Sequence, residues 1–205
     1  MTLEVLSPAG AVSSKVSDAL GVLVRGVARS VVLVRGAMGS SGSGVIWDLP
    51  GLVITNHHVV PGPVAELTLA GGRRVQARVV RRAPALDLAA LQVTDDLGVE
   101  PRITVGDSDA LCVGDLVVAV GNPMGERNAP SVGILASAAD DVLRLSVTLR
   151  PGNSGGALVN ARGEVIGIPH MVTGNGLALA VSSRSVRRFL SGATGETEQD
   201  NLRWV

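Results

Sequence analysis

The sequence predicts an all-β fold, a barrel or a sandwich of short strands, on three observations. Short aliphatic runs recur along the chain, among them Val31-Val32-Leu33-Val34, Leu52-Val53-Ile54-Thr55 and Leu116-Val117-Val118-Ala119-Val120. Turn chemistry separates them, as in Asp48-Leu49-Pro50-Gly51, Gly71-Gly72, Gly121-Asn122-Pro123-Met124-Gly125 and Asn160-Ala161-Arg162-Gly163. The apolar content is 46% and almost wholly aliphatic, with one Phe, two Trp and no Tyr. At 205 residues the chain holds one large domain or two small ones sharing a core.

Residues 1–12 carry no clear periodicity and are expected to be poorly ordered. Over residues 14–30, Val16, Leu20, Leu23, Val24 and Val27 recur at helical spacing, which predicts a short N-terminal helix leading into the strand at 31–34. The run Gly36-Ala37-Met38-Gly39-Ser40-Ser41-Gly42-Ser43-Gly44 lacks the lysine of a phosphate loop, and no helix signal follows it. It reads as a hairpin turn into Val45-Ile46-Trp47. A strand at 52–55 ends in Asn56-His57-His58-Val59-Val60 and is closed by Pro61-Gly62-Pro63. Strands at 65–69 and 75–80 follow, the second carrying Arg73, Arg74, Arg78, Arg81 and Arg82 alternating with apolar residues, as on a solvated face. Asp87 then lies in the apolar run Ala85-Leu86-Asp87-Leu88-Ala89-Ala90-Leu91, a costly place for an unpaired acid.

Residues 94–109, rich in Asp, Gly and Pro, separate two halves. Strands are predicted at 115–120, 131–136, 143–149, 157–159, 165–168 and 176–181, a terminal helix at 183–190, and a loose tail beyond. Cys112 is the only cysteine, so no internal disulfide forms, and its apolar neighbours predict a small buried hydrophobe. One cysteine and three histidines are not spaced as metal ligands, and nothing asks for a cofactor. Eighteen basic residues balance eighteen acidic ones, which removes the electrostatic case for nucleic acid or an anionic membrane. The N-terminus lacks a basic stretch followed by an apolar run, so no signal peptide or membrane span is expected and the cytoplasm is the expected compartment.

The chemistry centres on Arg150-Pro151-Gly152-Asn153-Ser154-Gly155-Gly156. A serine hydroxyl becomes a nucleophile only when a base takes its proton. Glycines beside it let the backbone turn and a carbonyl approach, and the N–H groups of Gly152 and Ser154 can stabilise an oxyanion. A neutral imidazole, with a pKa near ~6.5, accepts such a proton at neutral pH. His58, Asp87 and Ser154 stand in that chain order; their spacing permits a triad without showing that they meet.

Thr55-Asn56-His57-His58-Val59-Val60, Asp87-Leu88-Ala89-Ala90-Leu91, Gly121-Asn122-Pro123-Met124-Gly125 and Pro151-Gly152-Asn153-Ser154-Gly155-Gly156 together resemble the successive motifs of the HtrA/Deg family of trypsin-like serine proteases. Gly42-Ser43-Gly44-Val45-Ile46 resembles its early strand and Gly176-Leu177-Ala178-Leu179-Ala180-Val181 its last, so the likeness covers about residues 25–190 in family order. The resemblance implies two six-stranded Greek-key β-barrels of the trypsin-like type, about 25–104 and 105–182, with the site in the cleft between them and a helix at 183–191. It implies that His58 is the general base, that Asp87 orients it, and that Ser154 attacks a peptide carbonyl, while His57 only flanks the site. Gly152 and Ser154 N–H groups would form the oxyanion hole, with Asn153 N–H nearby, and residues 125–133 would correspond to the activation loop. The substrates implied are proteins or peptides.

The chain departs from the family pattern in places. Ser146 stands where the family has an acid, and Arg150 where it has a small amide. Loops near 36–42 and 138–143 are short. No PDZ domain is expected after the last helix. The aromatic residues that hold family trimers are not found near the N-terminus, so a monomer or weak oligomer is expected. Thr148, six residues before the serine, argues against cleavage after Lys or Arg; with Leu149, Ile168 and Leu179 it would line a pocket for a small aliphatic side chain. Family members often work outside the cytoplasm, which keeps an extracytoplasmic place open. Two rivals stand beside this reading. Gly152-x-Ser154-x-Gly156 also matches a nucleophile elbow, but His170 is the only histidine downstream and residues 157–159 lead to a turn. A protease-fold module that binds proteins without cutting them is the other.

Overall fold

The computed structural model describes residues 8–48, 50–95, 102–139, 141–172 and 176–192. Helix α1 (Pro8–Ala28) precedes strands β1 (Val31–Arg35), β2 (Ser41–Ile46), β3 (Leu52–Thr55), β4 (Val64–Thr68), β5 (Arg74–Ala83) and β6 (Leu88–Val93). Six more follow: β7 (Leu116–Gly121), β8 (Ala129–Ala139), β9 (Val142–Leu145), β10 (Ala157–Asn160), β11 (Val165–Val172) and β12 (Ala178–Ser182), then helix α2 (Ser183–Ser191). The first six close into a barrel in the order β1-β2-β3-β6-β5-β4, and the second six into another, β10-β11-β12-β9-β8-β7. The two orders are the same topology used twice, and every pairing within them is antiparallel.

Side-chain alternation explains why so many strands read as unbroken apolar runs. Val32 and Val34 of β1 fill the first barrel, while Val31 faces a seam between the barrels. Val117 and Ala119 of β7 fill the second barrel, and Val118 and Val120 meet the seam. Leu52 and Ile54 of β3 and Val159 of β10 join that seam, with Phe189 of α2 and Val27 of α1. A strand buried on both faces has no polar face to show. The chain passes from one barrel to the other over two residues: Ile103 N donates to Ile46 O, whereas Val165 N donates to Thr104 O and Val105 bridges to Val165.

Several expectations are corrected. The N-terminal helix is not short: it spans 21 residues, and 8–12 belong to it, while 1–7 lie outside the described residues. The glycine-rich run at 36–44 is a turn only in part, because β2 already begins at Ser41. Its glycines answer to packing: a Cβ on Gly44 would sit within 3.1 Å of Val53, Val34 and Val32 side chains, and one on Gly42 within 3.0 Å of Val59 and Ser154 O. Strand β9 ends at Leu145, so 146–149 is loop. Cys112 is exposed, because its run lies in the loop before β7, where its N–H donates to Asp115 Oδ2. A β-bulge between Val79 and Arg81 turns the last arginines of β5 inward. Arg81 then donates to the carbonyls of Phe189 and Leu190, and Arg82 to those of Val60 and Gly62. The tail beyond 192 and part of the expected boundary, 96–101, lie outside the described residues. Among the described residues no helix is long and apolar enough to cross a membrane.

Candidate functional site

Asp87 is not embedded in a strand. It follows the tight turn Pro84–Leu86, immediately before β6, in the left-handed region at φ 52°, ψ 42°, which Asp tolerates better than most residues. That placement turns all its oxygens toward the loop after β3. Asn56 Nδ2 and His57 N donate to Asp87 O at 2.8 and 3.1 Å. His58 N donates to Asp87 Oδ1 at 3.1 Å, and His58 Nδ1 to Oδ2 at 2.7 Å. A carboxylate only accepts, so Nδ1 of His58 carries the proton and Nε2 is left bare in the neutral ring.

The electrostatics follow the contacts. Burial pushes the Asp87 carboxyl up, but the imidazoles of His170 and His58 and the His58 N–H outweigh it, and the group lies far below the ordinary carboxylate range. The hydrogen bond to Asp87 raises the His58 pKa against the opposing effect of burial. His57 moves the other way, lowered by burial and by Arg82, whose guanidinium donates to His57 Nδ1 at 3.1 Å. The two neighbouring histidines thus face different partners.

The serine loop leaves the second barrel at Leu145 and returns at β10. Asn153 N donates to Arg150 O at 3.0 Å, and Gly152 has φ +101°, the signature of a type II turn with Pro151 and Gly152 at its centre. Met124 N donates to Pro151 O at 2.9 Å. The peptide is trans and planar, so the Gly152 N–H points away from that carbonyl. Among the described residues neither Gly152 N–H nor Ser154 N–H has a hydrogen-bond partner, whereas Asn153 N–H is engaged within the turn.

The first barrel holds this loop from the other side. Ser43 N donates to Ser154 O at 2.8 Å, and Ser43 Oγ donates to Gly152 O at 2.7 Å while accepting from Asn122 N. Asn122 in turn reaches Val32 O through Nδ2. A Cβ on Gly152 would lie 2.5 Å from Asn122 O, in a backbone region that L side chains rarely adopt. Gly152→Ala is therefore expected to strain the turn and displace its N–H, and, if that N–H has the oxyanion role the family resemblance implies, to lose about 10²–10³ in kcat on a peptide ester, the scale for one oxyanion donor; unchanged kcat would remove Gly152 from that role.

The other anticipated residues scatter. Thr148 is exposed, and its N–H donates to Ser131 Oγ at 3.0 Å. Leu149 and Leu179 are half-buried, and Ile168 is fully buried in the seam. Two contributors carried no role at the level of sequence: Ser43 and Asn122, although both stand in the quoted motifs. A third is His170, which entered the sequence reading only as the one histidine downstream of Ser154. Its carbonyl accepts from Ser154 Oγ at 3.4 Å, and its Nδ1 lies 3.7 Å from Asp87 Oδ2. Among the described residues no three His, Cys, Asp or Glu side chains gather as a metal site.

The family described as "Trypsin-like peptidase domain" matches residues 42–168. The chain is 37% identical over 166 residues to "Periplasmic serine endoprotease DegP" of Salmonella typhimurium, covering 73% of this chain and 35% of that protein. It is 37% identical over 171 residues to "Serine protease Do-like HtrA" of Lactobacillus helveticus, covering 72% and 41%. Against "Putative serine protease HhoA" of Synechocystis it is 38% identical over 157 residues, covering 68% and 40%. The matches span between about a third and two fifths of these relatives' lengths. With two antiparallel six-stranded barrels, a matching family over more than half of its length and relatives named as serine proteases, the chain belongs to the trypsin-like peptidase family, as an HtrA-like protease domain.

Proposed function

We propose that the chain is a serine endopeptidase of protein substrates, working through His58, Asp87 and Ser154 and an acyl-enzyme. The observation that carries this reading is the meeting at His170: Ser154 Oγ and Asp87 both reach that one residue, while Asp87 holds His58 at 2.7 Å. In this reading the Ser154 hydroxyl turns from the His170 carbonyl onto bare Nε2 of His58. His58 takes the proton as Oγ attacks the scissile carbonyl, and later returns it to the leaving amine. Asp87 keeps the proton on Nδ1 and stabilises the imidazolium. The N–H groups of Gly152 and Ser154, without a partner among the described residues, receive the oxyanion. The half-exposed His58 ring leaves room for a substrate above the dyad.

The primary specificity pocket belongs to the same proposal. Leu149 and Leu179, both half-buried, offer apolar surface for a small aliphatic side chain, and Thr148 supplies no negative charge for Lys or Arg, whereas the Ile168 side chain is buried in the seam. The periplasmic location in the names of DegP relatives supports an extracytoplasmic place for this chain, and the comparisons lend the cytoplasmic expectation no support.

Labelling by a fluorophosphonate probe tests the reading directly. The wild type is expected to be labelled, Ser154→Ala not at all, and His58→Ala slower by at least about 10³-fold, because the hydroxyl is inert without its base. Folded wild type that stays unlabelled at every pH from about 6 to 9, a range that spans ordinary histidine titration, would overturn it.

A further inference from the structure

We infer that His170 is a positioning residue, a second imidazole that shares the Asp87 carboxylate with His58 while its backbone carbonyl holds the resting hydroxyl of Ser154. The inference rests on the proposed roles of these three residues. Strand β11 pairs with β12 through Pro169↔Ala180 and Met171↔Leu179, and the register shifts between them, so His170 has no partner in the ladder. A bulged residue is freed to re-aim its groups. Here the carbonyl goes to Ser154 Oγ and the ring to Asp87. Pro169 just before it is fixed by Gly155 N, which donates to its carbonyl at 3.0 Å, so the bulge is tied to the serine loop itself.

The ring is mostly enclosed, with its side chain 15% exposed, and His170 Nε2 is buried with no hydrogen-bond partner among the described residues. A packing histidine spends its nitrogens on its surroundings; among the described residues this ring has Nε2 without a partner and Nδ1 turned to the carboxylate. Asp87 Oδ2 accepts only, so the nitrogen facing it carries the proton. At 3.7 Å the contact is longer than a hydrogen bond, as catalytic contacts without substrate often are. The charged or titratable groups around the carboxylate are His58 and His170 directly, with His57 and Arg82 behind them.

Two N–H donors on one oxygen divide its charge. Removing the His170 donor concentrates the carboxylate on His58, which then holds its proton more tightly and is a working base only at higher pH. The backbone carbonyl survives any substitution at 170, so the Ser154 contact is left in place and the ring is tested alone.

The chain has three histidines, so each imidazole can be followed by NMR through a pH titration of the Ser154→Ala protein. Adding His170→Phe is expected to raise the His58 titration midpoint by about half a unit or more, roughly a threefold gain in proton affinity. His170→Asn, which keeps an N–H donor, is expected to bring the midpoint back toward the starting value. With Ser154 intact, the acid limb of kcat/KM should move by the same amount in His170→Phe. If the phenylalanine variant fails to fold, His170→Ala reads the same quantity. A His58 midpoint unmoved by loss of the ring, or moved equally by Phe and Asn, overturns the inference. The titration needs no turnover, so it stands apart from the labelling experiment: a labelled protein with an unmoved midpoint removes only the role of His170.

Discussion

Asp87→Asn is expected to lower kcat/KM for a peptide substrate by about 10⁴-fold while the fold is kept, the scale seen when a trypsin-type triad loses its acid this way. Both carboxylate oxygens face donors: Oδ1 takes the His58 backbone N–H and Oδ2 the ring Nδ1–H. An asparagine keeps one acceptor and replaces the other by an NH₂ group. The backbone N–H cannot change its role, so it retains the amide oxygen, and the NH₂ is left facing the imidazole. The ring then accepts at Nδ1 and carries its proton on Nε2, where the proposed mechanism needs a lone pair. Steady-state kinetics at about pH 8 check this, and a loss below about tenfold would remove Asp87 from the mechanism. The same substitution has a signature in stability. The Asp87 pKa is depressed, so its contacts stabilise the fold above the ordinary carboxylate value of 3.8 and lose that contribution as pH falls below it. The gap in melting temperature between wild type and Asp87→Asn is therefore expected to be open at neutral pH and to narrow on acidification.

Phe189→Ala is expected to cost about 3–5 kcal/mol of stability, the usual range for emptying a buried phenylalanine site. Phe189 is fully buried and is the chain's one phenylalanine. It fills the seam where Ile54 and Leu88 of the first barrel meet Val118, Val120 and Val181 of the second. The neighbours are strands locked by their own ladders, so the cavity cannot collapse easily. At about 2–4 °C per kcal/mol for a domain of this size, the melting temperature should fall by roughly 6–20 °C. Thermal unfolding followed by circular dichroism measures it; a fall under about 2 °C would show that the seam repacks around the gap.

The strands were largely legible because their apolar runs are bounded by turn residues, and the dual burial of β1 and β7 made those runs conspicuous. The proposed triad was legible as a set of motifs. What stayed hidden depends on register. Nothing local marks His170: a histidine after Ile-Pro reads as loop, and only the bulge between Pro169 and Met171 aims it at Asp87. Arg81 and Arg82 likewise alternate like a wet strand face until the bulge after Val79 turns them to the helix and the histidine loop. Cys112 shows the reverse error, since apolar neighbours do not bury a residue whose segment runs outside the ladders. Gly42 and Gly44 advertise a turn, and the crowding of Val32, Val34, Val53 and Val59 is what a sequence cannot display.

The clasp of Arg81 on the last carbonyls of α2 has a consequence for how the molecule comes into being. The first barrel is complete in sequence at Val93, yet one of its sides is covered by Phe189 and fastened at Phe189 and Leu190. On the ribosome, chains emerge from the N-terminus and early units fold first. The early barrel must therefore wait, with Ile54 and Leu88 bare to water, through the making of some hundred further residues. Until the terminal helix arrives, that bare side is where a nascent chain would stick to its neighbours or be held by a chaperone.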